Sequence, residues 1–159
     1  MLIQPTLDTL NRLKLHGMAL ALSEQMTHGA AQGLAFEERL ALLLDREALH
    51  RENRRMTRLL QLATLKYRDA VLEDLDYRSR NGLDRSQLAI QGATGCGKTY
   101  LACALAHQAC RQGLSALYVR APRLFEEFTL CHADGSFRRR LAAIAKINVL
   151  VIDDFAIAP

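Results

Sequence analysis

Residues 92–99 read Gly-Ala-Thr-Gly-Cys-Gly-Lys-Thr, between the short apolar run Leu88-Ala89-Ile90 and an alanine- and leucine-rich stretch. A chain that turns this sharply needs positive φ angles and room for its own backbone, which glycine supplies. The apolar run before the turn predicts a strand. The stretch Gly97–Gly113 after it predicts a helix, stopped by its terminal glycine. Strand, glycine turn and helix in that order open the strand–helix alternation that implies a parallel sheet with crossover helices.

The eight residues match Gly-x-x-x-x-Gly-Lys-Thr in full. Backbone N–H groups around such a turn ring a crowded set of phosphate oxygens. The helix that follows aims its unpaired N–H groups and positive dipole end at the same place. Lys98 then reaches the β- and γ-phosphates, and the Thr99 hydroxyl is suited to Mg²⁺. The expected cofactors are ATP and Mg²⁺. The expected nucleotide-binding residues are Gly92, Ala93, Thr94, Gly95, Cys96, Gly97, Lys98, Thr99 and Tyr100.

Beyond residue 113 the pattern continues as a strand (LSALYVR), a helix (APRLFEEFTLCHA), a basic helix (SFRRRLAAIAKI) and a third strand (NVLVIDDF). The continuously apolar strand delivers Asp153 and Asp154 to its C-terminal edge, where open α/β sheets bind ligands. Asp153 is expected to hold Mg²⁺ together with Thr99, and Asp154 to polarise the attacking water. Lys98, Asp153 and Asp154 form the expected catalytic set.

The first half of the chain reads as helices. Gly17 is expected to break two short ones, residues 28–33 to form a loop, and a long helix to follow. Phe36, Leu40, Leu43, Leu44 and Ala48 form its apolar stripe, continued by Met56, Leu59, Leu60 and Ala63. These helices carry no catalytic constellation and suit docking to a partner protein or a neighbouring subunit. Asn81-Gly82 marks a turn. The expected organisation is a helical N-terminal domain over 1–66, a linker over 67–86 and an ATPase core over 87–159.

Residues 1–85 carry 13 basic and 12 acidic side chains, and residues 86–159 carry 8 and 5. The second half is therefore the one-sided one. Arg138, Arg139 and Arg140 fan over a helix face with Lys146 two turns on, and Arg120 and Arg123 follow the second strand. These six are the candidates for sequence-independent contact with duplex DNA. The four cysteines (Cys96, Cys103, Cys110, Cys131) form no C-x-x-C pair. Their expected state is the free thiol of a reducing cytosol, with Cys103 and Cys110 as small core residues. With no apolar run long enough for a membrane span and no leader-like N-terminus, the chain is expected to be cytoplasmic.

Together, GATGCGKTYLACALAHQA, RAPRLFEEF, VLVIDDF and the upstream LKLHGMALAL, FEERLALLLDRE and REN resemble the IstB-type transposition helper ATPases of the AAA+ superfamily, which are related to the DnaC-type helicase loaders. The resemblance covers nearly the whole chain. It implies a P-loop ATPase fold preceded by an all-α domain. It also implies a homo-oligomer that assembles on duplex DNA with ATP and recruits a DDE-type transposase. A helicase loader shares the ATPase core and is the alternative, and a small kinase is a third class. Family members continue well past the second acidic motif and have a longer linker before the first strand, so the C-terminal part of the ATPase module is expected to be missing. The chain resembles a fragment or an internally deleted copy.

Overall fold

The computed structural model describes residues 3–27, 33–72, 90 and 95–155. The chain divides into two compact units, Met1–Arg55 and Met56–Pro159.

The first unit is helical: α1 (Ile3–Arg12), α2 (His16–Thr27) and most of α3 (Phe36–Ala63). The break between α1 and α2 falls at residues 13–15, where Lys14 takes φ +60°. Gly17, expected to be that break, lies inside the first turn of α2 and is buried. Its missing side chain serves packing. A Cβ there would sit 2.7 Å from the Arg46 carbonyl oxygen and 2.8 Å from the His50 Cβ, so glycine lets α2 touch the backbone of α3. Glu47 completes this contact. Its Oε2 accepts from the Gly17 N–H at 2.7 Å and the Met18 N–H at 3.2 Å, while Oε1 takes the Arg51 Nε at 2.7 Å. A buried carboxylate from α3 thus satisfies N–H groups in the first turn of α2. Burial alone would raise its pKa, but the hydrogen bonds from Arg51, Met18 and Gly17 and the Arg51 charge outweigh that and hold it below the ordinary glutamate value.

The expected apolar stripe of α3 is turned inward in its continuation, at Met56, Leu59, Leu60 and Ala63, but not in its first half apart from Leu43. Phe36, Leu40 and Leu44 are exposed, and the residues turned inward there are Arg39, Leu43, Glu47 and His50.

In the second unit α4 (Lys98–Arg111) leads to β1 (Ala116–Arg120), α5 (Ala121–Ala133), α6 (Phe137–Ile144) and β2 (Val149–Asp153). β1 and β2 pair in parallel, Ala116 opposite Val149 through Arg120 opposite Asp153. Helices therefore connect parallel strands, as the sequence pattern requires. A side-chain clamp pins the register where the strands begin. The Ser115 N–H and hydroxyl both donate to Asn148 Oδ1, at 3.0 and 2.8 Å, and the Asn148 N–H donates to Ser115 Oγ at 3.1 Å. α4 stops as expected at Gly113, whose φ is +80°. Its N–H reaches the Cys110 carbonyl and that of Leu114 reaches Ala109.

The core comprises Ala63, Leu65, Ala70, Cys103, Ala104, Ala106, Cys110, Ala116 and Tyr118. Cys103 and Cys110 are fully buried free thiols. Small side chains dominate where α4 crosses the strands and let helix and sheet approach closely. Leu59, Leu60 and Leu72 are only partly buried around them. Leu59, Leu60, Ala63 and Leu65, which fall within the expected N-terminal domain (1–66), pack with this core. The expected first strand (87–92) apart from Ile90, the Asn81-Gly82 turn and most of the expected linker lie outside the described residues, as do residues 28–32 of the expected loop.

Candidate nucleotide site

The glycine turn enters α4 in the conformation its composition demands. Gly95 and Gly97 have φ of +87° and +82°, and Gly97 is the residue that caps the helix. A side chain at either position would be strained. Lys98 opens the helix, and its Nζ lies 3.8 Å from the Sγ of exposed Cys96. Gly92, Ala93 and Thr94 lie outside the described residues.

The two acidic-motif and glycine-turn halves, far apart in sequence, meet at one atom. Thr99 Oγ1 donates to Asp153 Oδ2 at 2.9 Å. The parallel register of β1 and β2 sets the end of β2 beside the start of α4, which touches both strands. A third side chain joins them. The hydroxyl of Tyr118, from β1, donates to the same Oδ2 at 2.7 Å. Burial would raise the Asp153 pKa. The hydrogen bonds from Tyr118, Thr99 and the Asp154 N–H, with the positive charge of Lys66, outweigh it and keep the carboxylate ionised below the ordinary aspartate range. Conversely, burial and the neighbouring Asp153 carboxylate push the Tyr118 phenol well above its ordinary value. Sequence reasoning missed Tyr118. The signal was a tyrosine in β1 two residues before that strand's C-terminal edge, where a phenol tip can reach the neighbouring strand's acid.

A hydroxyl and an ionised carboxylate 2.9 Å apart at a helix N-terminus are hard oxygen donors of the kind Mg²⁺ prefers. The residues present therefore fit the cation. Among the described residues no group of three His, Cys, Asp or Glu side chains converges on a metal position, so phosphate and water oxygens would fill the remaining places.

Asp154 takes φ +55°, a left-handed backbone that aspartate tolerates better than most residues. Its Oδ2 accepts from Arg120 Nε at 2.6 Å. That ion pair arises from the register, which sets Arg120 opposite Asp153. The Tyr100 side chain packs on the core, its ring 5.8 Å from that of Tyr67.

The six candidate DNA-contact residues separate into two groups. Arg120 is engaged with Asp154. Arg140 turns toward α5, its Nη2 donating to Glu127 Oε2 at 3.0 Å and its Nε 2.7 Å from Oε1 off the N–H direction. The triple arginine therefore does not act as one fan. Arg123, Arg138 and Arg139 are exposed. Lys146, expected on the basic helix, lies in the turn after α6, which ends at Ile144.

A glycine turn capping a helix, a lysine at its first position, and a threonine locked to a strand-end aspartate define a P-loop nucleotide-binding protein. The chain matches the family described as IstB-like ATP binding protein in two overlapping pieces, residues 8–89 and 85–159, and it belongs to that family. It is 50% identical to an insertion sequence IS1162 ATP-binding protein of Pseudomonas fluorescens over 173 aligned positions, covering 99% of this chain and 75% of that relative. Two insertion-sequence ATP-binding proteins of Sinorhizobium fredii, y4pL and y4uH, are 42% and 38% identical, covering all of this chain and 71% and 70% of theirs. These alignments span more positions than the 159 residues of the chain, so the relatives carry internal positions it lacks. No described helix is long and apolar enough to cross a membrane.

Proposed function

We propose that this protein is the ATP-dependent helper of an insertion sequence: it binds Mg²⁺-ATP, assembles as a homo-oligomer on duplex DNA and recruits or activates a DDE-type transposase. The observation that carries the reading is the Thr99–Asp153 hydrogen bond, which unites glycine turn and acidic strand end in one metal-competent pair. The insertion-sequence context of the relatives supports the choice over a helicase loader.

The division of labour follows from the site. The turn amides and Lys98 bind and orient the triphosphate. Thr99 and Asp153 would hold Mg²⁺, which when bound neutralises charge on the phosphate oxygens. Asp154 would orient the attacking water with a carboxylate whose Oδ2 already holds the Arg120 guanidinium. Arg123, Arg138, Arg139 and Lys146 supply positive charge for phosphate contacts, while Arg120 and Arg140 enter the DNA surface only by leaving their carboxylate partners.

The test is binding of a fluorescent ATP analogue with Mg²⁺, followed by anisotropy of labelled duplex DNA with and without ATP. Saturable nucleotide binding and ATP-dependent DNA binding are expected, with turnover stimulated by duplex. DNA binding indifferent to ATP would overturn the proposal. Transposase pull-down against helicase pull-down then separates the two partner classes.

A further inference from the structure

We infer that Tyr118 is a positioning residue for the metal-binding carboxylate: its phenol locks Asp153 in the rotamer that a divalent cation requires. The inference rests on the Mg²⁺-ATP reading above and deepens it.

Two hydroxyls converge on Asp153. Both Thr99 and Tyr118 donate to Oδ2, at 2.9 and 2.7 Å, and neither of these bonds uses Oδ1. A threonine hydroxyl that donates its proton to Oδ2 keeps its lone pairs for a cation. Without the phenol, Asp153 is held only by Thr99, a short side chain on a different element, and by the N–H of its own neighbour Asp154, and it gains freedom about χ2. The phenol removes that freedom. Tyr118 is itself fixed: it is buried in the core beneath α4, and its backbone carbonyl accepts from Thr64 Oγ1 at 3.1 Å. It therefore brings the rigidity of the sheet to the acid. Outer-shell groups that orient a metal ligand commonly change metal affinity by about 10- to 100-fold when removed.

The experiment is an Mg²⁺ titration of fluorescent ATP-analogue binding by the full chain, compared between the parent protein and Tyr118→Phe, which removes one oxygen and keeps the ring in the core. The expected result is a midpoint Mg²⁺ concentration raised about tenfold or more, with metal-free nucleotide binding in EDTA unchanged. Tyr118→Met, which also lacks the hydroxyl, gives the same shift and serves if the phenylalanine variant folds poorly. In an Asp153→Asn background the same change is expected to have no further effect, because the phenol acts through that carboxylate. An unshifted midpoint in Tyr118→Phe overturns the inference. An equal shift in the Asp153→Asn background also overturns it, because the effect would then be one of general packing. If the parent protein shows no Mg²⁺-dependent binding, it is the nucleotide reading itself that fails.

Discussion

Replacing Gly17 with alanine sets two effects against each other, and the structure decides which wins. Alanine in a helix is favoured over glycine by about 1 kcal/mol, so an exposed Gly17 would make the variant more stable. At this position, however, the added Cβ meets Arg46 O and Glu47 Cα at 2.7 Å, both backbone atoms of α3, whereas ordinary contact begins at 3.4 Å. The helices must part by about 0.7 Å, the difference between those two distances. The Gly17 N–H to Glu47 Oε2 bond, now 2.7 Å, then stretches toward the limit of hydrogen bonding. Overpacking costs about 1–3 kcal/mol, and weakening a hydrogen bond to a buried charge costs up to about 1.5–3 kcal/mol. Net of the helix gain, Gly17→Ala is expected to lose about 1.5–5 kcal/mol. Urea unfolding followed by far-ultraviolet circular dichroism measures the loss, and hydrogen exchange over residues 16–27 locates it. A variant as stable as the parent, or more so, with unchanged exchange in α2, would refute the packing of α2 on α3.

Four further outcomes follow from the same geometry. Glu47 has a lowered pKa when folded, so its contribution is present above the ordinary glutamate value of 4.5 and is lost as pH falls through the depressed one. The stability gap between the parent and Glu47→Gln is therefore expected to be flat near neutrality and to close in acid; a gap persisting unchanged at about pH 2 contradicts the assignment. Lys98→Ala is expected to abolish ATP-dependent assembly on DNA, and undiminished assembly across an ATP titration counts against the site. Arg138→Ala and Arg139→Ala are each expected to reduce the slope of log affinity against log salt by about 0.9, while Arg140→Ala leaves the slope unchanged because its guanidinium belongs to Glu127; a loss of slope in Arg140→Ala would place it on the DNA. Arg120→Ala frees Asp154 and is expected to raise basal ATP turnover several-fold at constant nucleotide affinity, and a fall in turnover would show the pair to be required for chemistry.

Local rules made much of this protein legible from its residues. The glycine spacing demanded positive φ at Gly95 and Gly97, Gly113 was bound to stop α4, and the run ending in Asp153 had to be a strand, although Leu150 and Ile152 are exposed and only its alternate residues are partly buried. Each of these depends on neighbours in sequence or on the bare periodicity of a helix or strand, so the nucleotide-binding class and the parallel β1–β2 order were readable. What the sequence left open depends on contacts between distant elements. A glycine reads the same whether it ends a helix or lets another helix approach, and only α3 at 2.7 Å distinguishes the two for Gly17. A stripe of Phe36, Leu40 and Leu44 is apolar whichever way α3 turns, yet α2 packs on the face that carries Glu47. Three consecutive arginines look alike in sequence, and it is Glu127 on α5 that takes Arg140 away from its neighbours. Tyr118 and Asp153 are 35 residues apart, and only the strand register brings the phenol to the carboxylate.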